Sequence, residues 1–293
     1  MDYPIKSVTV SDPDYPRILT CWPGMPRKLY YIGSLPDPDR KSAAIVGARA
    51  CSAYGREQAR QFAAGLGRAG VQIISGMALG IDSHAHEGCL SAGGRTFAVL
   101  GNGVDICYPA SNELLYRRII ESGGGILSEF EPGMPSLPHH FPLRNRIISG
   151  LADLVLIVEA RAKSGSLITA QYALEQGKNI FAVPGRIGDP LSAGCNNLIS
   201  KGAGAATDAS QLLAELGFMQ NEKGEISSPL AFNSLSPSAR TLLKVLSTDP
   251  QSLSALLEST GLSAADAFRG LLELEVKSLV RQPVAGLYVR TYG

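Results

Sequence analysis

The chain has 293 residues, 45% of them apolar and 18% charged, with a formal net charge of +1. That is room for one large domain and a small one with ample core, and it excludes a disordered or fibrous chain. A near-neutral whole leaves nucleic acid and acidic ligands both open, because binding needs only a local patch. Five cysteines (Cys21, Cys51, Cys89, Cys107, Cys195) lie scattered without a C-x-x-C pair, which argues against a disulfide framework or a thiolate zinc site. The N-terminus "MDYPIKSVTVSDPDYP" lacks the apolar core of a signal peptide, and no apolar run approaches the ~20 residues of a membrane helix. The expectation is a soluble cytoplasmic protein with reduced thiols and no membrane partner.

In chain order, residues 1–40 are proline-rich and are expected to pack on the main domain as an extension. From 41 to 217, apolar runs alternate with helical patterns. The strand candidates are "AAIVG" (43–47), "VQIIS" (71–75), "TFAVL" (96–100), "ILSEF" (126–130), "LVLIVEA" (154–160) and "NIFAVPG" (179–185). Between them, "YGREQARQFAAGLGRAG", "IDSHAHEGCLSAG", "NELLYRRIIESGG", "RNRIISGLA" and "LITAQYALEQG" carry apolar residues at helical spacing. Strands apolar throughout belong in a parallel sheet covered on both faces, so the pattern predicts a doubly wound α/β domain. Residues 218–235 break the alternation and read as a linker. Over 236–293, three short helical patterns precede "LVRQPVAGLYVR", a hairpin with Gly286 near its turn; this predicts a small winged-helix-like domain.

Several motifs dissolve on context. "GLGRAG" (65–70) matches G-x-G-x-x-G as text, yet it ends a helix and precedes a strand, whereas the dinucleotide fingerprint follows a strand and opens a helix. No P-loop occurs. His84 and His86 are two apart on a helix start, so their rings diverge, and no third ligand stands at a suitable spacing; no metal is expected. Asp82 reads as the cap of that helix. Cys107 and Ser111, in "GNGVDICYPASN", have no neighbouring base and read as turn residues.

Three other segments place phosphate chemistry at strand ends. After the first strand come Arg49 and Ser52; before the fifth come Phe141, Arg144, Asn145 and Arg146; after the fifth come Lys163, Ser164, Gly165, Ser166 and Thr169. Cations and hydroxyls at helix starts suit phosphate oxygens, and an aromatic beside them offers a stacking surface. In a doubly wound sheet all three would face one edge. Whichever of Arg144 and Arg146 lies on the inner face either contacts ligand or pairs with an acid such as Glu129 or Glu159. The C-terminal domain is a weaker candidate: from Ser236 onward six basic residues stand against five acidic ones, a poor footprint for duplex DNA. Protein contact and weak duplex binding stay equally open there.

The segments "VGARACSAYG", "SGMALGIDSHAH", "GNGVDICYPASN", "FPLRNRIISGLADLVLIVEARAKSGSLITAQYA" and "FAVPG" closely resemble the DNA-processing protein A (DprA, also called Smf) family, over about Asp12 to Gly217. The resemblance implies an extended Rossmann-like, mostly parallel sheet, a homodimer, and an appended winged-helix-like domain. It implies a non-enzymatic protein without a cofactor that binds single-stranded DNA entering the cell in natural transformation, shields it, and loads the RecA recombinase onto it. By motif, Arg49 and Ser52 fall on the family's phosphate-binding turn, Phe141, Arg144, Asn145 and Arg146 on its F-P-x-R-N-R segment, and Lys163, Ser164, Gly165, Ser166 and Thr169 on its [KR]-S-G-S-x-x-T turn. Many members carry an additional N-terminal helical domain, whereas this sequence starts almost directly at "VTVSDPDYP". The competing class is a phosphoribohydrolase of nucleoside monophosphates on a related fold. Such enzymes place a glutamate where this chain reads "KSGSLITAQYA", and without a positioned carboxylate general catalysis loses its main handle.

Overall fold

The computed structural model describes residues 3–220, 226–227, 235–246, 251–277, 279–284 and 286–290, and the chain divides into two compact units, 1–212 and 213–293. The first unit opens with strands that its proline content conceals in the sequence. β1 (Lys6–Thr9) and β2 (Lys28–Gly33) pair antiparallel, and β2 continues antiparallel onto β6 (Gly125–Ser128), so the N-terminal segment extends the sheet itself.

The expected α/β alternation then follows, as β3 (Ser42–Val46), α1 (Ala53–Arg68), β4 (Gln72–Ser75), α2 (Ile81–Ser91), β5 (Thr96–Val99), α3 (Glu113–Glu121) and β6 (Gly125–Ser128). After these come α4 (His140–Leu151), β7 (Leu154–Ile157), α5 (Ser166–Glu175), β8 (Asn179–Ala182), α6 (Ala193–Ser200), the short β9 (Gly204–Ala205) and α7 (Ala209–Glu215). Every residue of β3 to β7 is buried, which is why these strands read as continuous apolar runs. Ala44, Val46, Ile74, Phe97, Val99, Leu127, Val155 and Ile157 turn to the face covered by Ile147, Ile148 and Leu151 of α4 and by Ala170 and Ala173 of α5. Ala98 and Ile126 turn the other way, against Leu115, Tyr116 and Ile119 of α3. Each fully buried aliphatic side chain contributes about 1.5–3 kcal/mol, so the two-sided burial dominates the stability of this unit.

The strand order is β1-β2-β6-β5-β4-β3-β7-β8-β9, parallel from β6 through β9. From β3 the chain builds outward through β4, β5 and β6, then returns to the other side of β3 with β7 and continues through β8. The switch point therefore lies between β3 and β7. Ligands of doubly wound sheets bind beyond the carboxyl ends of the strands at such a crevice.

The second unit has its own core. β10 (Met219–Gln220) and β11 (Ile226–Ser227) pair antiparallel; most of the linker expected over 218–235 lies outside the described residues, as does Asp249. α8 (Pro237–Val245) begins with Ser236 capping the Ala239 amide and with Pro at its first turn, both good helix starters. β12 (Gln251–Ser252), α9 (Leu253–Thr260), α10 (Ala264–Val276), β13 (Val280–Val284) and β14 (Leu287–Arg290) complete a winged helix with strand order β12-β14-β13. Gly286, at φ +82°, makes the hairpin turn. Leu242, Leu243, Leu256, Leu271 and Leu274 fill this core, while Phe268, Leu272 and Val276 are exposed on α10.

Candidate nucleic-acid interface

Three strand-to-helix connections converge on the switch point. After β3, Gly47 and Ala48 turn the chain and Ser52 caps α1, its hydroxyl accepting from the Gly55 amide at 3.0 Å. Glu159, just past β7 and only 3% exposed, takes both remaining donors of Ser52: the amide donates to Oε2 at 2.9 Å, and the hydroxyl donates to Oε1. A buried carboxylate needs such donors, so Ser52 is committed to the fold. The start of α2 braces the same turn. Gly80, at φ +80°, approaches so closely that a Cβ would fall 2.3 Å from the carbonyl oxygens of Ala48 and Arg49. Arg49 is left exposed, its guanidinium 5.1 Å from the Phe141 ring centroid.

Residues two apart on a helix point roughly 200° apart, so Arg144 and Arg146 leave α4 in opposite directions. Arg144, 4% exposed, runs under the cleft, where Nη1 donates to the carbonyls of Gly76 (2.8 Å) and Val99 at the ends of β4 and β5. Burial brings this guanidinium down to about 10, against the pull of Asp82. Burial likewise raises Asp82 to about 6, and Arg144 together with the Gly76 amide (3.1 Å from Oδ2) limits the rise. Arg146 turns outward from the cleft and forks onto Glu129 at 2.9 and 2.7 Å, with a third bond to the Gly24 carbonyl at 3.0 Å.

The β7–α5 connection forms the facing wall. Asn145 donates to the Gly165 carbonyl at 3.3 Å, tying α4 to this turn. The hydroxyls of Ser164 and Ser166 lie 2.8 Å apart, and Thr169 is buried at 1% exposure. Lys163 and Arg161 are exposed and have no carboxylate partner among the described residues. Tyr108, in the loop after β5 and 43% exposed, stands 5.5 Å from Phe141 at a 34° tilt. These groups enclose a cleft of about 540 Å³ in which Arg49, Arg144, Arg161 and Lys163 face a single carboxylate, Asp82.

The family model for DNA recombination-mediator protein A matches residues 6–217, and that for the DprA winged helix domain matches 227–284. The chain belongs to the DNA recombination-mediator protein A family. It is 36% identical to protein Smf of Synechocystis over 97% of this chain and 79% of that one. The X-ray structure of DNA processing protein A (DprA) from Streptococcus pneumoniae matches with a TM-score of 0.67 at 41% identity, over 73% of this chain and 75% of that one. The structure of DNA processing protein A from Helicobacter pylori, described for its single-stranded DNA binding mode, matches with a TM-score of 0.64 at 30% identity, over 72% of this chain and 95% of that one.

Of the positions expected from the DprA-family motifs, the fold brings Arg49, Phe141, Arg144, Asn145, Lys163, Ser164, Gly165, Ser166 and Thr169 to one cleft. Ser52 and Arg146 do not line it, because Glu159 and Glu129 hold them. Asp82 is not the cap of α2: Gly80 occupies that position, and Asp82, the second helical residue, turns inward beside Arg144. The two histidines diverge. His84 meets Glu87 at 2.9 Å, while His86 meets Thr96 at 2.6 Å and is pushed down to about 3 by burial and Arg144. The Cys107 thiol donates to Pro109 O at 3.5 Å, and burial raises it to about 11. Arg161 and Tyr108 are members of the cleft that motif reading alone does not single out. Arg161 shares the Lys163 turn, and the loop carrying Tyr108 leaves β5 at the same rim.

Proposed function

We propose that this cleft holds a short run of unpaired DNA, through which the protein shields single strands in natural transformation and delivers them to the RecA recombinase. The observation that carries the reading is the composition of the cleft: four cations against one buried carboxylate, with hydroxyls at the start of α5 and a Tyr108–Phe141 wall. Phosphate oxygens take the cations and hydroxyls. The aromatic wall takes bases by stacking, about 1–3 kcal/mol per base whatever its identity, and only an unpaired strand can present them. The H. pylori relative, whose structure concerns single-stranded DNA binding, supports the ligand class. Family membership supports the place in transformation, the transfer to RecA and a homodimeric working form. Five free cysteines suit a reducing cytoplasm.

Binding here proceeds without turnover. The one observation on the side of a hydrolase is Asp82, a cleft carboxyl raised to about 6. That group is buried and satisfied by the Gly76 amide and the Arg144 charge, so it lacks the access a general acid requires. Competition between a labelled oligothymidine and an unlabelled duplex of equal length tests the reading. The single strand should be preferred at least tenfold, equal affinity would overturn it, and base release from nucleoside monophosphates would favour the hydrolase.

A further inference from the structure

We infer that the β8–α6 loop is a second station for the same DNA strand, with Arg186 holding a phosphate and Ile187 an apolar sugar or base face. The inference rests on the reading of the cleft just given and extends it along the rim.

The register puts this loop beside the cleft. Val46 pairs with Ile157 and Ile157 with Ala182, so β3, β7 and β8 end level, and their connections leave the same edge. Neighbouring strands lie about 4.8 Å apart, which sets the β8 loop roughly 10 Å from the Arg49 turn. The loop is also stitched to the Lys163 turn. The Ala160 amide donates to Leu191 O and the Gly194 amide to Ala160 O, each at 2.8 Å, directly before Arg161.

Inside the loop the polar groups are spent on rigidity. Gly185 exchanges bonds with the Asn196 side chain at 3.1 and 3.0 Å, and a Cβ there would fall 2.0 Å from Ser192 Oγ. The Asp189 carboxylate accepts from the Leu191 amide at 3.0 Å and from the Ser192 hydroxyl at 3.2 Å. The loop's acid is therefore turned into the loop, whereas exposed Arg186 has no ion pair or side-chain hydrogen bond among the described residues. Ile187 beside it is 96% exposed, more than any other large apolar side chain among the described residues. A lone exposed aliphatic is ordinary. Held on a rigid loop beside an unpaired cation, on the rim where the cleft opens, it offers the pairing of charge and apolar surface that a nucleotide needs.

The test compares oligothymidines of about 4 and about 20 nucleotides, the short one filling the cleft alone. Arg186→Ala should leave the short oligonucleotide unaffected. For the long one it should reduce the slope of log affinity against log salt by about 0.7, a roughly fivefold weaker complex at 0.1 M salt on a 1 M reference. Ile187→Ser should weaken only the long complex, with the slope kept. Lys163→Ala, the control for the cleft, should weaken both lengths. If Lys163→Ala weakens binding while Arg186→Ala matches wild type at both lengths, the strand leaves by another route and the second station is wrong, although the cleft stands. If Lys163→Ala is also silent, the cleft reading falls and takes the second station with it. If Ile187→Ser spares DNA at both lengths but shifts sedimentation toward a smaller species, the loop is a protein contact and the inference is overturned.

Discussion

Replacing Arg146 with alanine tests whether it is the structural arginine of α4, held away from the cleft that Arg144 underlies. Its guanidinium forks onto Glu129 and also holds the Gly24 carbonyl, with the two side chains only 11% and 14% exposed. Breaking such a pair from one side leaves Glu129 charged, nearly buried and short of two donors, at a cost of about 3–5 kcal/mol. The small remaining exposure favours the lower end, about 3 kcal/mol, which for a unit of this size lowers the unfolding midpoint by roughly 6–12 °C. Arg146→Met combined with Glu129→Leu should recover most of that loss, because an apolar pair has no charge to strand. The single tryptophan, Trp22, sits two residues before Gly24 in the first unit, so its fluorescence follows the unfolding of that unit. Oligothymidine affinity, measured where each variant is folded, should stay within about twofold of wild type. An Arg146→Ala protein that unfolds like wild type but binds oligothymidine weakly would refute the assignment.

Three further outcomes follow from the same geometry. Ser52→Ala removes the α1 cap and a donor to buried Glu159, so it should cost about 1–2 kcal/mol in urea unfolding without weakening DNA binding. Tyr108→Ala should lose about 1–3 kcal/mol of oligothymidine affinity with an unchanged salt slope, since a stacking surface carries no counterion term. Asp82, raised by burial to about 6, takes up a proton in the folded state that the unfolded chain releases near 4, so its contribution is present at low pH and is lost as pH rises through about 6. His86, lowered to about 3, works in the opposite sense and costs stability as pH falls below about 6.5. Asp82→Asn should therefore lose ground to wild type as pH falls from about 6 to about 4, by up to about 1.4 kcal/mol per pH unit in urea midpoints converted to free energy.

The parallel core was legible because β3 to β7 are buried on both faces and carry no polar alternation. β1 and β2 were not. β1 is an edge strand and β2 its neighbour; both carry part-exposed residues and are separated by a proline-rich connection that reads as irregular chain. At the site, residue type and spacing located the three converging turns but could not orient side chains. Arg144 and Arg146 look equivalent in "LRNR", and their fates depend on Asp82 and Glu129, which arrive from distant segments. Ser52 looked like a phosphate ligand for the same reason, since nothing local announces that Glu159, 107 residues later, will claim its hydroxyl. Tyr108 escaped because its ring meets Phe141 only after β5 and β6 carry the Tyr108 loop and the start of α4 to one rim.

A salt titration of oligothymidine binding tests the cleft most directly, comparing wild type with Arg49→Ala/Arg161→Ala/Lys163→Ala. If each of these three exposed cations neutralises one phosphate, log affinity should fall with log salt with at least about 2 units of slope from the cleft, and the triple variant should lose that contribution. A triple variant that is folded by Trp22 fluorescence yet keeps the wild-type slope and affinity would contradict the account.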